Sequence, residues 1–448
     1  MTLEHRGHNT FIATIILAWM VVGVIDPSVS AAQSWVFGSL DDPAEQSRLS
    51  RWDRYVEATG MTGFSLIGPQ WRGVGRIDAT ARGADYSVRL DGSLRSGLYG
   101  PYAPETDDWR DLVRLIDHAR YRPEGSGTYL RLGPLDRTRF GSGHLVNFFS
   151  TKTVWDDRSV GAEVQLAGAR HTLEAFTSDL TQRHVSGVRL SLAPFDRGLS
   201  GFSSIRLAGA VVEDHGTRTD LNEPFRGYEG ELRMVAYRSG SFDFAPVLSG
   251  AWLPSYGQGV LVGAHLENAN FIDLARIHLS LALQYNSSDF RPALFGAFHA
   301  VSGPGRSVVS GTQPLQQGIP LRDIQRGNSI LFESRILFFE RFELWYAFQR
   351  YHGVQRLSEY HLRLFFQARN VRISVAQDRR GLKGFASLFG DLGSENRMRF
   401  QFDLRLLGRI WLIMDGHYTY RQVPALSDTR FFSIQRRFDP TLGMRVRL

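Results

Sequence analysis

The stretch "EYHLRLFFQAR", residues 359–369, decides the fold. Tyr360, Leu362, Leu364, Phe366 and Ala368 fall on one side of an extended chain, and Glu359, His361, Arg363 and Gln367 fall on the other. A period of two is the signature of a half-buried β-strand, because successive side chains of a strand point to opposite faces. The same alternation runs through "RMRFQFDLRLL" (397–407), where Met398, Phe400, Phe402, Leu404 and Leu406 oppose Arg399, Gln401, Asp403 and Arg405. "RIWLIMDGHYTYR" (409–421) sets Ile410, Leu412, Met414, Tyr418 and Tyr420 against Asp415, His417 and Thr419. In "RIHLSLALQY" (276–285), Ile277, Leu279, Leu281, Leu283 and Tyr285 oppose Arg276, His278, Ser280 and Gln284. The chain closes on "PTLGMRVRL" (440–448), with Leu442, Met444, Val446 and Leu448 on one face and Arg445 and Arg447 on the other.

Alternation alone fits two architectures. A soluble sandwich buries one face of each strand in a shared core. A membrane barrel turns the apolar face to lipid and the polar face to its interior. Three features favour the barrel. The runs approach the ~9–11 residues a tilted strand needs to cross a bilayer, against ~5–6 for an average globular strand. They continue from Trp71 onward with no helical domain between them. Tyr237, Tyr285, Tyr346, Tyr418 and Tyr420 fall at strand ends, as an interfacial aromatic girdle requires. The expectation is an all-β, transmembrane antiparallel β-barrel of roughly 16–18 strands with minor helical segments.

Tight hairpin turns are expected at Gly168-Ala169, Ser239-Gly240, Glu340-Arg341, Arg369-Asn370 and Leu407-Gly408. Longer polar loops are expected at 213–226, 303–327 and 380–394. Short turns on one rim and long loops on the other is how outer-membrane barrels are built. Asp439-Pro440 reads as a further tight turn, which would put the short turns on the unusual rim; alternatively, 422–440 is one external excursion.

The first residues have a polar start with Arg6, an apolar run from Phe11 to Ile25, and small residues at Val29-Ser30-Ala31-Ala32. That layout is a signal peptide over 1–31, with cleavage near Ala31 or Ala32 and export from the cytoplasm. Residues 32–70 read as an N-terminal periplasmic or lumen segment with a helix near 43–58, and 71–448 as the barrel. At 104–119, Trp109, Leu112, Val113 and Ile116 are spaced as on a helix that starts after Pro104. It is expected to pack on the barrel, with a plug or gate inside the pore, or a strand over 109–122, as the other readings.

The chain has 52 Lys+Arg against 45 Asp+Glu and no cysteine. Its charges are interspersed, with no basic run alternating with aromatics, so no nucleic-acid partner is expected. No close metal-ligand spacing and no nucleotide-binding glycine loop is present, so neither a metal nor a cofactor is expected.

The signal peptide, the hairpin repeat and the apolar-x-apolar-x-apolar last strand make the chain resemble bacterial outer-membrane β-barrel proteins of the porin-like kind. "YLRLGPLDRTRFGSGHLVNFFS" (129–150) is similar to a stretch of uncharacterised envelope barrels, a resemblance that implies a fold and no activity. It implies an outer-membrane location, contact with outer-membrane lipids, and insertion by the barrel-assembly machinery. Leu448 stands where that class commonly ends in an aromatic.

With the polar face inward, the lumen list contains Arg189, Arg206, Arg233, Arg276, Arg335, Arg363, Arg372, Arg405, Arg445 and Arg447, with Glu163, Glu231, Glu333, Glu343, Asp403 and Asp415 as inward acids. Such a set either braces the barrel wall or biases a path toward small anionic solutes, since rings of one charge select by sign. His278 and Ser280 share a face, but nothing identifies a third group to orient a base, so no catalytic residue is expected. Three functions follow in order: a passive channel for small, preferably anionic solutes; an export or surface-attachment barrel for an acidic polysaccharide or lipid; and an outer-membrane enzyme.

Overall fold

Alternation becomes a closed wall in a computed structural model of the chain. It describes residues 55–447 apart from 99, 106–109, 124–126, 157, 182–183, 196–199, 216–224, 272–273, 303–305, 311–312, 318–320, 322–323, 340, 353–357, 383–394 and 424–429. The signal peptide and the helix expected near 43–58, up to residue 54, lie outside these residues.

The wall begins with Tyr55–Ile67 (β1), Gln70–Arg82 (β2), Tyr86–Gly97 (β3), Ile116–Tyr121 (β4), Tyr129–Gly133 (β5), Gly161–Ala167 (β6) and His171–Thr177 (β7). Next come Val185–Leu192 (β8), Arg206–Asp214 (β9), Phe225–Arg233 (β10), Phe242–Leu253 (β11), Gly257–Phe271 (β12) and Ala275–Asn286 (β13). Gly327–Phe338 (β14), Phe342–His352 (β15), Glu359–Gln367 (β16), Val371–Arg380 (β17), Asn396–Leu407 (β18), Ile410–Val423 (β19) and Arg430–Arg447 (β20) complete it. Each strand pairs antiparallel with the next, and β1 pairs with β20 from Glu57↔Arg447 to Ile67↔Arg437, which closes the ring. Closure leaves no unpaired strand edge in hydrocarbon, where an unsatisfied backbone group costs several kcal/mol.

The barrel has 20 strands, more than the 16–18 expected. The additional strands have plain physical origins. β1 is a wall strand and not a preceding segment, so the barrel starts before residue 71; its outward positions Ala58, Gly60 and Thr62 are small and give little alternation. β4 replaces the second half of the helix expected over 104–119. Among the described residues the α-helix there is Arg110–Arg114 (α1), after a 3-10 turn over Ala103–Glu105, because Ile116 enters the ladder with Leu90 of β3. Leu112, on that helix, is 71% exposed. β5, β6 and β7 have only five to seven residues each, too short to stand out as membrane-crossing runs.

Asp439-Pro440 is not a turn. Both lie inside the 18-residue β20. Proline has no N–H for a ladder, and β1 gives way opposite it: a Cβ on Gly63 would lie 2.3 Å from the Pro440 carbonyl oxygen. With β20 unbroken, the loop arrangement is the usual one. The tight turns after β6, β10, β14, β16 and β18 share one rim with the end of β20, here the short-turn rim; residues 193–205 are a longer connection on it. The loops after β9, β13 and β17 are on the opposite, long-loop rim.

The outer face carries the apolar belt. Phe64, Ile77, Leu94, Leu281, Leu283, Leu442 and Met444 are all exposed. Among the described residues no helix is long and apolar enough to cross a membrane. Tyr237 and Tyr285 are exposed as a girdle requires, but Tyr418 and Tyr420 are buried. Tyr420 packs with Phe148 and Phe298, and its hydroxyl accepts the Asn396 N–H at 2.9 Å.

The lumen holds two segments that enter from the long-loop rim, 134–160 after β5 and 287–302 after β13. They join each other through the Val146↔Phe295 bridge, Ala293 N–H to His144 O at 2.7 Å, and Thr153 Oγ1 to Ala297 O at 2.6 Å. Phe140, Phe148, Phe149, Phe290, Phe295 and Phe298 are each 3% exposed or less. At ~1.5–3 kcal/mol per buried side chain, these six rings supply roughly 10 kcal/mol or more of docking. The apolar core of this barrel therefore sits inside its lumen.

Candidate functional site

Inward-pointing residues of β16–β19 and the plug segments define the site. Arg189 and Arg363 apart, the arginines expected in the lumen sit at or near strand ends of the short-turn rim. They form a basic collar around that mouth. Most are neutralised locally. Arg189 bonds Glu174 at 2.6 Å and Glu231 at 2.9 Å. Arg335 bonds Glu343 at 2.8 Å, and Arg363 bonds Asp378 at 2.8 Å. Arg445 bonds Asp403 at 2.7 Å and approaches Glu57 at 3.6 Å, and Arg372 lies 3.6 Å from Asp403 and 3.7 Å from Glu57. Arg206 and Arg233 are register partners across β9 and β10. Arg276 and Arg447 are exposed on the rim and Arg405 is half-buried there, Arg405 donating to Gly408 O at 2.6 Å and Arg447 lying over the Tyr55 ring at 4.7 Å. The inward acids Glu163, Glu231, Glu333, Glu343, Asp403 and Asp415 are all buried.

Beyond the collar lies a chamber of about 110 Å³ roofed by the plug. Arg89, Arg120, Arg131, Arg137, Lys152, Arg363, Arg372, Arg397 and Arg399 line it, against Asp117, Asp136 and Glu343. Asp78, Asp378 and Asp415 stand behind the lining and pair with Arg89, Arg363 and Arg399, so the positive excess is at the surface of the cavity. Asp136 shows the strength of that field. Burial alone would raise its carboxyl, yet Arg397, Arg137, Arg363 and Lys152 hold it well below the usual carboxylate range. Burial pushes the Lys152 ammonium down, against the pull of Asp117 at 3.0 Å.

Trp155 closes the chamber on one side. The Arg158 and Arg399 guanidiniums lie over its ring at 4.7 Å and 5.1 Å, and the His417 ring is 4.3 Å away. Trp155 and His417 also line a smaller cavity of about 50 Å³ with Arg76, Asp91, Glu105 and Arg437. Arg114 and Arg158 link this second space to a third, of about 350 Å³, which lies toward the long-loop rim between Phe149, Val154, Leu180, His299 and Phe432. Arg158 donates to Arg114 O at 3.1 Å and Arg114 donates to Arg158 O at 3.3 Å, so α1 is tied to the end of the plug. The cavities thus follow one another past the plug, partitioned by Trp155 and the Arg114–Arg158 clasp.

The plug is fixed to the wall by polar contacts. Arg139 donates to Glu333 at 2.7 Å, and Glu333 also takes the Trp345 indole N–H at 2.5 Å. Ser142 N–H donates to Glu231 at 2.6 Å, and Arg397 donates to Asp136 at 2.8 Å and to Ser150. Sequence reasoning placed the wall residues and missed the plug set: Asp136, Arg139, Lys152, Trp155 and Arg158. Their signal was negative, since 134–160 has frequent arginines and aromatics but no period. His278 lies 3.4 Å from Glu267, and Ser280 faces His265 and Glu333 in the ladders, so both belong to the lumen wall.

No family model matches the chain, and no curated protein matches it in sequence. Among solved structures it is similar to the outer membrane protein OpdK of Pseudomonas aeruginosa, at 7% identity over 88% of this chain and 99% of that one, TM-score 0.33. It is similar to Wzi, an outer membrane protein involved in group 1 capsule assembly in Escherichia coli and described as a carbohydrate-binding β-barrel, at 12% identity over 96% of both chains, TM-score 0.32. A BenF-like porin from Pseudomonas fluorescens gives 10% identity over 88% of this chain and 99% of that one, TM-score 0.30. All three are outer-membrane barrels, and scores this low say nothing further about this chain.

Proposed function

We propose that the chain is an outer-membrane channel of the gated kind for small anionic solutes. The observation that carries this reading is the run of cavities past the plug, entered through a basic collar, with arginine in excess on the chamber surface and a single indole between the first two spaces. Fixed positive charge raises the local concentration of anions and repels cations. The paired acids behind the lining keep the bias modest. The plug, docked by buried phenylalanines and ion pairs, makes the resting conductance low. A polymer would need the whole plug displaced, so the geometry favours small solutes over a polysaccharide path.

The test is single-channel current from the refolded chain in a potassium chloride gradient, beside a Trp155→Ala variant. The expected result is a low, chloride-favouring conductance that rises severalfold when the indole is removed. Equal silence from both proteins, with heat-modifiable gel migration showing both folded, rejects the reading.

A further inference from the structure

We infer that the chamber beneath Trp155 is a binding site for a protonated oxyanion, inorganic phosphate, in which His417 and Thr419 read the ligand. Four side chains lining this cavity are more than nine-tenths buried and carry polar atoms with no hydrogen-bond partner: Arg131 Nε, Arg363 Nε, His417 Nδ1 and Thr419 Oγ1, while Arg131 Nη1 lies 3.6 Å from the Glu163 carboxylate. Their other polar atoms are already engaged. Arg131 donates to Pro134 O at 3.0 Å, and Arg363 donates to Asp378 at 2.9 Å and to the Leu362 and Gln377 carbonyls. Buried donors left unmet are costly, so convergence of several on one space points to a ligand that meets them together. The volume of about 110 Å³ is well above what one water needs.

The donor set identifies the ligand class. Two guanidiniums and a hydroxyl suit the several oxygens of a compact anion. His417 adds discrimination. Its Nε2 faces the Asp415 carboxylate at 3.5 Å. That neighbour places the ring proton on Nε2 and leaves Nδ1 as an acceptor. An acceptor inside a basic chamber has use only for an anion that still carries an O–H. Inorganic phosphate does so near neutral pH; a phosphomonoester, whose second proton leaves near pH ~6, mostly does not, and sulfate does not. This deepens the anion-channel reading and rests on it only for the route by which the ligand arrives.

The experiment is isothermal titration of the full mature chain in detergent with inorganic phosphate and with sulfate, for the parent, Thr419→Val and His417→Leu proteins, each shown folded by heat-modifiable migration. Phosphate is expected to bind the parent more tightly than sulfate. Thr419→Val removes one hydrogen bond to a charged group and is expected to weaken phosphate by about tenfold or more. His417→Leu is expected to bring phosphate and sulfate to equal affinity. No phosphate binding by the folded parent, or unchanged affinity in Thr419→Val, overturns the site. The channel reading fails separately: a protein that binds phosphate but never conducts keeps the site and loses the channel, whereas anion-selective current without phosphate binding does the reverse.

Discussion

Replacing Arg397 with methionine should loosen the plug without opening the barrel wall. Arg397 stands on β18, is 6% exposed, and holds both sides of the junction. It donates to Asp136 and Ser150 of the plug and, through Nε, to Asp378 of β17 at 2.8 Å. Asp378 keeps Arg363 at 2.8 Å and His361 at 2.8 Å, so the wall side stays neutralised. Asp136 keeps the longer contacts to Arg137 at 3.6 Å and Arg363 at 4.0 Å and the field of Lys152. Two hydrogen bonds involving a charged partner, at ~1.5–3 kcal/mol each, give a loss of about 3 kcal/mol in docking. At 1.4 kcal/mol per factor of ten, the undocked population rises roughly 100-fold. Against the apolar docking of the six phenylalanines this is a bias, not an ejection. The assay is bilayer current over a series of urea concentrations that leave the heat-modifiable band intact. The variant should begin to conduct at a lower concentration than the parent. The same onset in both, with equal barrel stability, would refute the claim that this ion pair seats the plug.

Two further perturbations separate the plug from the wall. Acid should loosen the plug through His144, whose ring burial pushes down to about 3 from an ordinary value of ~6.5. The undocked ring takes up its proton first, so docking weakens as pH falls from about 6.5 toward 3; His144→Leu should flatten that dependence, and a flat parent profile of open probability would eliminate this residue as the cause. Asp136 works in a different window, because its depressed carboxyl contributes fully above the ordinary ~3.9 and is lost only as pH falls through its lower docked value. At the seam, Gly63→Val would drive a Cβ to 2.3 Å from Pro440 O and should abolish the heat-modifiable band, whereas Gly60→Val, where nothing lies within 4 Å, should keep it; equal behaviour of the two would show that the β1–β20 approach is looser than described.

The wall was legible in the sequence because lipid and lumen impose opposite demands on adjacent residues. That contrast is sharp in β16, β18 and β20, and Leu442 and Met444 are exposed to the lipid side as their alternation required. It fades where the outward residues are small, as at Ala58, Gly60 and Thr62 of β1, and the strand count was low for that reason. Pro440 misled because proline in a strand argues for a break, and the compensation lies at Gly63, hundreds of residues away in sequence. Within the site, the collar arginines and the acids facing them followed from parity alone. Pairing did not, because Arg139–Glu333 and Arg397–Asp136 join positions far apart in the chain.

The plug was illegible for a different reason, which bears on how it works. A strand meets two environments and so acquires a period. The plug residues of 134–160 meet a wall that presents both charged and apolar side chains, together with a second buried loop, so they must carry rings and charges in no fixed order. The rings Phe140, Phe149 and Phe295 cluster with one another and with Phe176 and Phe225 of the wall, which holds the plug in the lumen. The charges decide how it is seated, since Arg139 meets Glu333 at 2.7 Å and Asp136 meets Arg397 at 2.8 Å. Stimuli that act on charge, such as salt, pH or an arriving anion, therefore act on the seating and leave the apolar docking in place. Trp155, flanked by two guanidiniums and an imidazole, and the Arg114–Arg158 clasp beyond it stand outside the plug's two apolar clusters. In the proposed channel a small shift there would join the cavities, and the anion that would exploit the opening is the species whose charge competes for the same arginines.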